Sequence, residues 1–484
     1  MKKTMKKTRR SFLKQIGAGV AAITLGGSTL AKIASAADKV KKPNFVLIFI
    51  DDMGYGDIGC FGSKANRTPK LDQMAKEGMK FTSFYVTSSV CTPSRASLMT
   101  GCYPRRVNMH VNQRNLCVLF AGDPKGLNPN EVTIAEVLKA KGYATKCIGK
   151  WHLGDQPEFL PTRQGFDSYF GIPYSNDMGG KSKTKGRPPL PLMVDEKVIE
   201  APVNQDTLTK RYTQQAVKFI TANKDKPFFL YLPHAMVHLP LHASDDFRNK
   251  SKNGRYGDAV EELDWSTGQI LKTLKDLKLD DNTLVIFTSD NGSTGRHGGS
   301  NAPLRGNKGQ TLEGGQRVPC VMRWPGKIPA GKTCDALTST IDVLPTFAKL
   351  AGTAAPTDRI IDGRDIMNLM SGEKNAKSPH EAFYFYQMDQ LQAVRSGQWK
   401  LELALESRKR NWGKPEGKST MKLFNLKTDI HEDKDVSAAN PAVVKRLEAL
   451  ADKARADLGD VNKPGKGQRP AGMVKNPIKQ YLKD

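Results

Sequence analysis

Short apolar runs that each break off at a polar cluster constrain this chain more than any other feature of its sequence. The run at residues 45–50 ends at Asp51-Asp52, and residues 145–148 end at Gly149-Lys150-Trp151-His152. Residues 228–232 lead toward His234 and His238, and residues 284–287 toward Asp290-Asn291. Runs with little polar alternation fit strands buried on both faces, as in a parallel sheet covered by helices. Helical patterns lie between them. Thr68-Pro69 opens one that carries Leu71, Met74 and Ala75 on one face and stops at Gly78. Thr133 and Glu136 form a capping box ahead of Val137-Leu138, with Gly142 beyond. Residues 258–279 carry Ile270, Leu271, Leu274 and Leu277 along one side. Alternating strands and helices predict an α/β fold around a large, mostly parallel sheet flanked by helices. Ligands of such sheets sit beyond the carboxyl ends of the strands, which is where these clusters fall. One site assembled from distant segments is the expectation.

After residue 375 the pattern changes. Residues 383–386, 391–394, 399–403 and 421–426 read as short antiparallel strands, and 443–458 as a helix. The division expected is a catalytic unit over 40–374 and a smaller α+β domain with an antiparallel sheet over 375–458. Lys, Pro and Gly crowd residues 459–484, which predicts a basic, poorly packed tail.

The N-terminus reads as an address. Residues 1–14 hold seven basic side chains and no acid, including Thr8-Arg9-Arg10-Ser11-Phe12-Leu13-Lys14. A mild apolar run over 16–30 and the small-x-small triplet Ala34-Ser35-Ala36 follow, the pattern of a twin-arginine signal peptide over 1–36. It implies the Tat translocon as a partner and a periplasmic or secreted location, with no stable membrane anchor. The chain carries +26, of which eight positive charges precede Ala36, leaving +18. So basic a protein favours polyanionic partners, and export points to sulfated polysaccharide rather than nucleic acid.

The sharpest chemical signal is Cys91-Thr92-Pro93-Ser94-Arg95, running to Gly101. Pro93 and Gly101 frame a short helix with Cys91 at its N-terminus, where exposed N–H groups favour an anion. A plain cysteine there is expected to be a low-pKa thiolate nucleophile, and Arg95, one turn on, to grip a tetrahedral oxyanion. Asp51, Asp52, Asp290 and Asn291 offer oxygen ligands, a set that suits Ca²⁺ or Mg²⁺ rather than zinc. Lys150 and His152 alternate on what reads as an extended segment, so both are expected to point to one side. His234, His238 and His242 are spaced by four, but Pro233 and Pro240 break the helix a zinc face would need.

The Cys-x-Pro-Ser-Arg motif, with Asp51-Asp52 upstream, resembles the type I formylglycine-dependent sulfatases of the alkaline phosphatase superfamily, the arylsulfatase A group in particular. The resemblance runs from Pro43 to about residue 440. Further motifs carry it: Gly149-Lys150-Trp151-His152-Leu153-Gly154, Gly171-Ile172-Pro173-Tyr174-Ser175, Thr288-Ser289-Asp290-Asn291-Gly292, Lys308-Gly309 leading to Glu313-Gly314-Gly315, and Leu423-Phe424-Asn425-Leu426. It implies that Cys91 is oxidised to formylglycine by a maturation enzyme, that the hydrated aldehyde attacks sulfur, and that residue 91 joins the Ca²⁺ ligands. It further implies that Lys150 and Lys308 bind sulfate, that His152 contacts formylglycine, that His238 protonates the leaving alcohol and that Ser175 lies on the substrate side. Sulfated carbohydrates or small sulfate esters are the implied substrates. A phosphate or phosphonate ester hydrolase of the same superfamily, a zinc phosphatase and a non-catalytic polyanion-binding protein are the competing readings. Besides Cys91, six cysteines allow fifteen pairings, among which the sequence does not choose.

Overall fold

The computed structural model describes residues 42–180 and 187–481. The export signal read at 1–36 lies outside them. Among the described residues, no helix is long and apolar enough to cross a membrane.

Ten strands form the main sheet. They are β1 (Asn44–Ile50), β2 (Met79–Phe81), β3 (Ala144–Ile148), β4 (Ser168–Gly171), β5 (Leu192–Val194), β6 (Lys197–Glu200), β7 (Phe228–Pro233), β8 (Thr283–Ser289), β9 (Cys320–Arg323) and β10 (Lys332–Cys334). Their order is β10-β2-β9-β8-β1-β7-β3-β4-β5-β6. The central strands β8, β1, β7, β3 and β4 run parallel, while β9 joins β8 and β5 joins β4 antiparallel.

The unbroken apolar runs are explained by burial on both faces. Along β1, Phe45, Leu47 and Phe49 enter one core, and Val46, Ile48 and Ile50 the other. The first core is covered by α2 (Cys91–Thr100), α3 (Ile134–Lys139) and α6 (Val343–Leu350). The second is covered by α1 (Pro69–Glu77), α4 (Leu208–Ala222) and α5 (Gly254–Asp276). A fully buried Leu, Ile or Phe contributes about 1.5–3 kcal/mol, so a charged residue within β1 is not tolerated. The capping box is present: Thr133 Oγ1 accepts from Glu136 N at 3.3 Å, and Glu136 Oε2 from Thr133 N at 2.9 Å. α5 begins four residues ahead of the expected 258, at Gly254.

A second sheet of four antiparallel strands, β11 (Phe383–Gln387), β12 (Gln390–Ser396), β13 (Trp399–Glu402) and β14 (Lys422–Asn425), packs its apolar face on α7 (Pro441–Leu458). The tail beyond it is not loose, against expectation. Gly459–Asp460 pairs with Lys463–Pro464, and Gly472–Met473 pairs antiparallel with Lys125–Gly126. Arg469 pairs with Glu131 at 2.7 Å, Ile478 N donates to Gln156 Oε1 at 2.7 Å, and Gln480 Nε2 to the Asp155 carbonyl at 2.6 Å. Composition suggested a solvated segment; backbone pairing and these polar contacts hold it against the main domain.

Candidate active site

Strand register assembles the site. Ile50 stands opposite Ser289 across β1 and β8, so Asp51-Asp52 and Asp290-Asn291 leave the sheet side by side. Asp52 N donates to Asp290 Oδ1 at 3.1 Å, and Asn291 Nδ2 to Asp52 Oδ1 at 2.8 Å. On the other flank of β1, β7 leads into His234 and His238, and β3 beyond it into Lys150. At this crossing Gly149 takes φ +134°, and a Cβ there would lie 1.8 Å from the Pro233 carbonyl oxygen. A side chain at 149 would push Lys150 out of place.

α2 starts at Cys91 and ends at Gly101, whose φ of +66° lets its N–H return to the Ser97 carbonyl at 2.8 Å. Every residue of this helix is buried. Donor atoms of Asp51, Cys91 and Asp290 lie within 4.8 Å of one another. The guanidinium of Arg95 is turned toward its buried neighbours: Nε and Nη2 donate to Asp290 Oδ2 at 3.0 and 2.8 Å, Nη1 donates to the Lys150 carbonyl at 2.8 Å, and Nη2 lies 3.7 Å from Asp51 Oδ1. It fixes Asp290 and the Lys150 backbone. One expectation about this helix needs correction: the thiol is not a thiolate. Burial pushes Cys91 up to about 11, against the lowering pull of Lys150 and Lys308, so removal from water outweighs the helix terminus.

Lys150 is fully buried and donates to Asp51 Oδ2 and to Ser175 Oγ, the latter at 3.2 Å. Burial alone would raise the Asp51 carboxyl, but Lys150 and Arg95 hold it well below the usual range. Asp290 is driven the other way, up to about 7, by burial and the neighbouring Asp51 charge. Lys308 reaches the opposite side, with Nζ 2.7 Å from Asp52 Oδ2. His238 Nε2 lies 3.8 Å from that same oxygen. Its Nδ1 faces two acceptors, the Leu239 carbonyl at 2.6 Å and Asn176 Oδ1 at 3.1 Å. Nδ1 therefore carries the proton, and Nε2 is the nitrogen turned toward the site. Burial and Lys308 lower its pKa, so without substrate the ring is neutral at neutral pH.

His152 departs from simple alternation with Lys150. Its φ is +60°, which breaks the extended path, and its Nε2 meets the Leu119 carbonyl at 2.8 Å. Nε2–H donates there and leaves Nδ1 buried with no hydrogen-bond partner. His234 and His242 are not part of the group: His234 Nε2 lies 3.3 Å from Ser266 Oγ, and His242 pairs with Asp206 at 2.6 Å. No helix joins the three histidines, so they form no zinc face. All seven cysteines are free thiols.

The residues fit a hard divalent cation. Asp51 Oδ1 and Asn291 Oδ1 are buried without a hydrogen-bond partner, a costly state that an ion between them would relieve. Asp52, as it stands, is engaged by Lys308 and Asn291.

Sequence reasoning missed Asn176, which fixes the tautomer of His238; its signal was adjacency to the Ser175 motif. It also missed the outer wall. The partly buried rim of the site, at Lys308 and Leu239, opens into a cavity of about 870 Å³ whose far side is formed by residues 408–422. Periodicity carries no trace of that contact.

Comparison with known proteins agrees with this geometry. Residues 43–353 match the model of the sulfatase family, and residues 307–452 match that of the N-sulphoglucosamine sulphohydrolase C-terminal region. The dog N-acetylgalactosamine-6-sulfatase is 42% identical over 382 residues, covering 75% of this chain and 72% of the relative. Human arylsulfatase A is 41% identical over 399 residues, 77% of each. The crystal structure of Ps i-CgsB in complex with k-i-k-neocarrahexaose superposes with a TM-score of 0.73 at 33% identity, covering 85% of this chain and 92% of that one. The family model covers more than half of the chain, and the dog and human relatives are 42% and 41% identical over about three quarters of it, so the chain belongs to the sulfatase family of sulfuric ester hydrolases.

Proposed function

We propose that this sulfatase removes sulfate esters from carbohydrates, with Cys91 oxidised to formylglycine by a maturation enzyme and Ca²⁺ held by Asp51, Asp52, Asp290, Asn291 and residue 91. The observation that carries the reading is the Asp51–Cys91–Asp290 group with its unsatisfied Asp51 and Asn291 oxygens. The names of the relatives support the substrate class: an N-acetylgalactosamine sulfatase and a structure solved with a neocarrahexaose. When bound, the cation supplies positive charge against the sulfate oxygens and acidifies the nucleophile.

The chain's own residues do the rest. Lys150, steadied by Asp51 and Ser175, and Lys308, steadied by Asp52, bind the sulfate from two sides. Cys91 stands at the helix N-terminus, where the formylglycine hydrate attacks sulfur. Arg95 positions Asp290. His238 presents Nε2 to the leaving oxygen; a sulfate beside it, and Asp52 at 3.8 Å, favour the protonated ring that a general acid requires. His152, with a bare Nδ1, accepts the proton of the second hydroxyl as sulfate is expelled. Export by the twin-arginine route, read from residues 8–14, is part of the same proposal, and changing Arg9 and Arg10 together to Lys should retain the protein in the cytosol. The division into 40–374 and 375–458 is likewise proposed, on the separate cores of the two sheets.

Peptide mass spectrometry across Cys91, on protein made in a host with the maturation enzyme, is the direct test, with parallel assays on sulfate and phosphate esters. Formylglycine with sulfate preference is the expected result. An unmodified thiol in a competent host removes the nucleophile, and equal or better turnover of phosphate esters moves the activity to phosphoryl transfer.

A further inference from the structure

The cavity beyond Lys308 is larger than a sulfate group needs; about 870 Å³ is the size of a site for a drug-sized ligand. One wall is the loop carrying Arg296, His297 and Lys308. The other is a hairpin of the C-terminal region, closed by bridges between Leu405 and Ser419 and between Arg408 and Glu416. This hairpin touches the segments that carry Lys308 and Cys91: Arg408 donates to Thr311 Oγ1 at 2.9 Å and Asn411 Nδ2 to Ser89 Oγ at 3.5 Å. Lys409 ties it to the C-terminal sheet through Asp389 at 2.7 Å.

Two features of the hairpin have no structural use. Trp412 is 54% exposed, yet its ring lies flush on the backbone of Gly309, where a Cβ would come within 2.4 Å of it, and 5.9 Å from Lys308 Nζ. An indole left half in water beside a catalytic lysine costs hydrophobic free energy that a stacked ligand would recover. Part of the positive charge is also uncompensated. Arg296 and Lys422 have no ion pair among the described residues, and Arg410 meets Glu416 only at 3.8 Å. Arg408 and Lys418 are paired, with Glu402 at 3.6 Å and Glu406 at 3.0 Å.

We propose that this cleft is the leaving-group subsite and takes an oligosaccharide bearing a second anionic group, sulfate or carboxylate, beside the ester that is cleaved. Trp412 stacks on a sugar ring, and Arg410 and Arg296 pair with the second anion. Leu239, next to the His238 that faces the leaving oxygen, lines the same cavity, which puts the subsite on the leaving-group side. The inference rests on the sulfate-ester reading above.

The test measures binding and turnover separately. Binding of a κ-carrageenan tetrasaccharide, anionic through sulfate alone, and of a chondroitin 6-sulfate tetrasaccharide, anionic through sulfate and carboxylate, is followed by calorimetry. Turnover of 4-nitrophenyl sulfate is followed in parallel. Trp412→Ala and Arg410→Glu are compared with Lys445→Glu, an equal charge change on the exposed side of α7. We expect either cleft variant to weaken binding of at least one tetrasaccharide by about tenfold or more, the loss of one good anchor, and by at least tenfold more than it slows 4-nitrophenyl sulfate. Lys445→Glu should do neither. Sensitivity of both tetrasaccharides to Arg410→Glu assigns the second anion to sulfate; sensitivity of chondroitin alone assigns it to carboxylate. Equal losses on tetrasaccharide and aryl ester, no loss, or no binding by the unaltered protein at millimolar concentration overturns the subsite. If the unaltered protein hydrolyses no sulfate ester yet binds a tetrasaccharide through Trp412, the sulfatase reading fails and the cleft survives.

Discussion

Two clusters of buried charge lie in this molecule, and they look alike until their hydrogen bonds are counted. At the strand ends, Asp51 and Asp290 face Lys150 and Arg95. Where the two sheets meet, Glu313 and Glu432 face Lys400 and Arg317. In the second cluster Lys400 donates to Glu313 Oε1 and to the Thr311 carbonyl, each at 3.0 Å, and lies 2.8 Å from Glu432 Oε1 as an ion pair. The ammonium also sits 4.0 Å from the Phe385 ring centroid. Glu313 Oε2 takes Tyr85 and Arg317, and Glu432 Oε2 takes Glu313 N. The first cluster leaves Asp51 Oδ1, Asn291 Oδ1 and His152 Nδ1 with no hydrogen bond. Burial perturbs both: it opposes ionisation of Glu313, yet Lys400 and Arg317 hold that carboxyl down to about 2. Perturbed ionisation therefore does not mark the working site. The number of unmet acceptors does: Glu432 Oε1 in the nearly closed knot that ties the C-terminal sheet to the main domain, against Asp51 Oδ1, Asn291 Oδ1 and His152 Nδ1 in the open cluster at the strand ends.

Removing the thiol from the open cluster should break function and spare the fold. Cys91→Ala is expected to lower turnover of sulfate esters by about 10³-fold or more, with a Tm within about 2 °C of the parent by calorimetry. Unfolding of this variant would show that the two clusters differ less than argued here. The nearly closed knot should respond in the opposite way. Lys400→Met removes the one ion pair of Glu432 among the described residues and leaves it facing Glu313, and urea titration should register a loss of about 3–5 kcal/mol, whereas Lys150→Met costs less stability because Asp51 keeps Arg95 at 3.7 Å.

Cation binding sharpens the contrast. Ca²⁺ at a hundredfold excess over its Kd should stabilise the unaltered protein by about 2.7 kcal/mol. Asp51→Asn should abolish that gain, and Lys400→Met should keep it; a Ca²⁺ response surviving Asp51→Asn would move the cation elsewhere. The smallest effect concerns a third buried pair, His380 with Asp342 at 2.7 Å. Burial works against the imidazolium, but Asp342 wins and raises the pKa above its usual value. The pair's contribution is full below pH 6.5 and fades as pH rises through the raised value. The stability difference between the unaltered protein and His380→Asn should shrink by about 1 kcal/mol between pH 6 and pH 9; a difference that grows with pH would reverse the sign of the argument.

The sheet was legible because β1, β7 and β8 are buried on both faces, which writes unbroken apolar runs into the sequence. Asp51 and Asp290 were legible because each follows the end of a strand, and Cys91 because it opens a helix framed by Pro93 and Gly101. The state of Cys91 was not: helix position is a local property, whereas burial depends on what packs above it. The tie from Arg95 to Asp290 was not legible either, since the two are 195 residues apart. The tail misled through composition, because its strand pairing with Lys125–Gly126 uses backbone groups that any sequence supplies. The hairpin around Trp412 gave no signal, having neither period nor motif.

That tail has a further consequence. Its hold on the main domain is one two-residue strand pair and a series of separate hydrogen bonds at Arg469, Pro470, Val474, Ile478 and Gln480, each individually worth about 1 kcal/mol. Such a segment stays seated because it is tethered: covalent attachment gives it a local concentration in the millimolar range or above. A single cut between residues 464 and 472 would turn this closure into a bimolecular event. The freed piece should drift off at any ordinary protein concentration, uncovering Gly126, Glu131 and the Asp155 carbonyl together. What secures this edge of the enzyme is continuity of the chain, and contact area has little part in it.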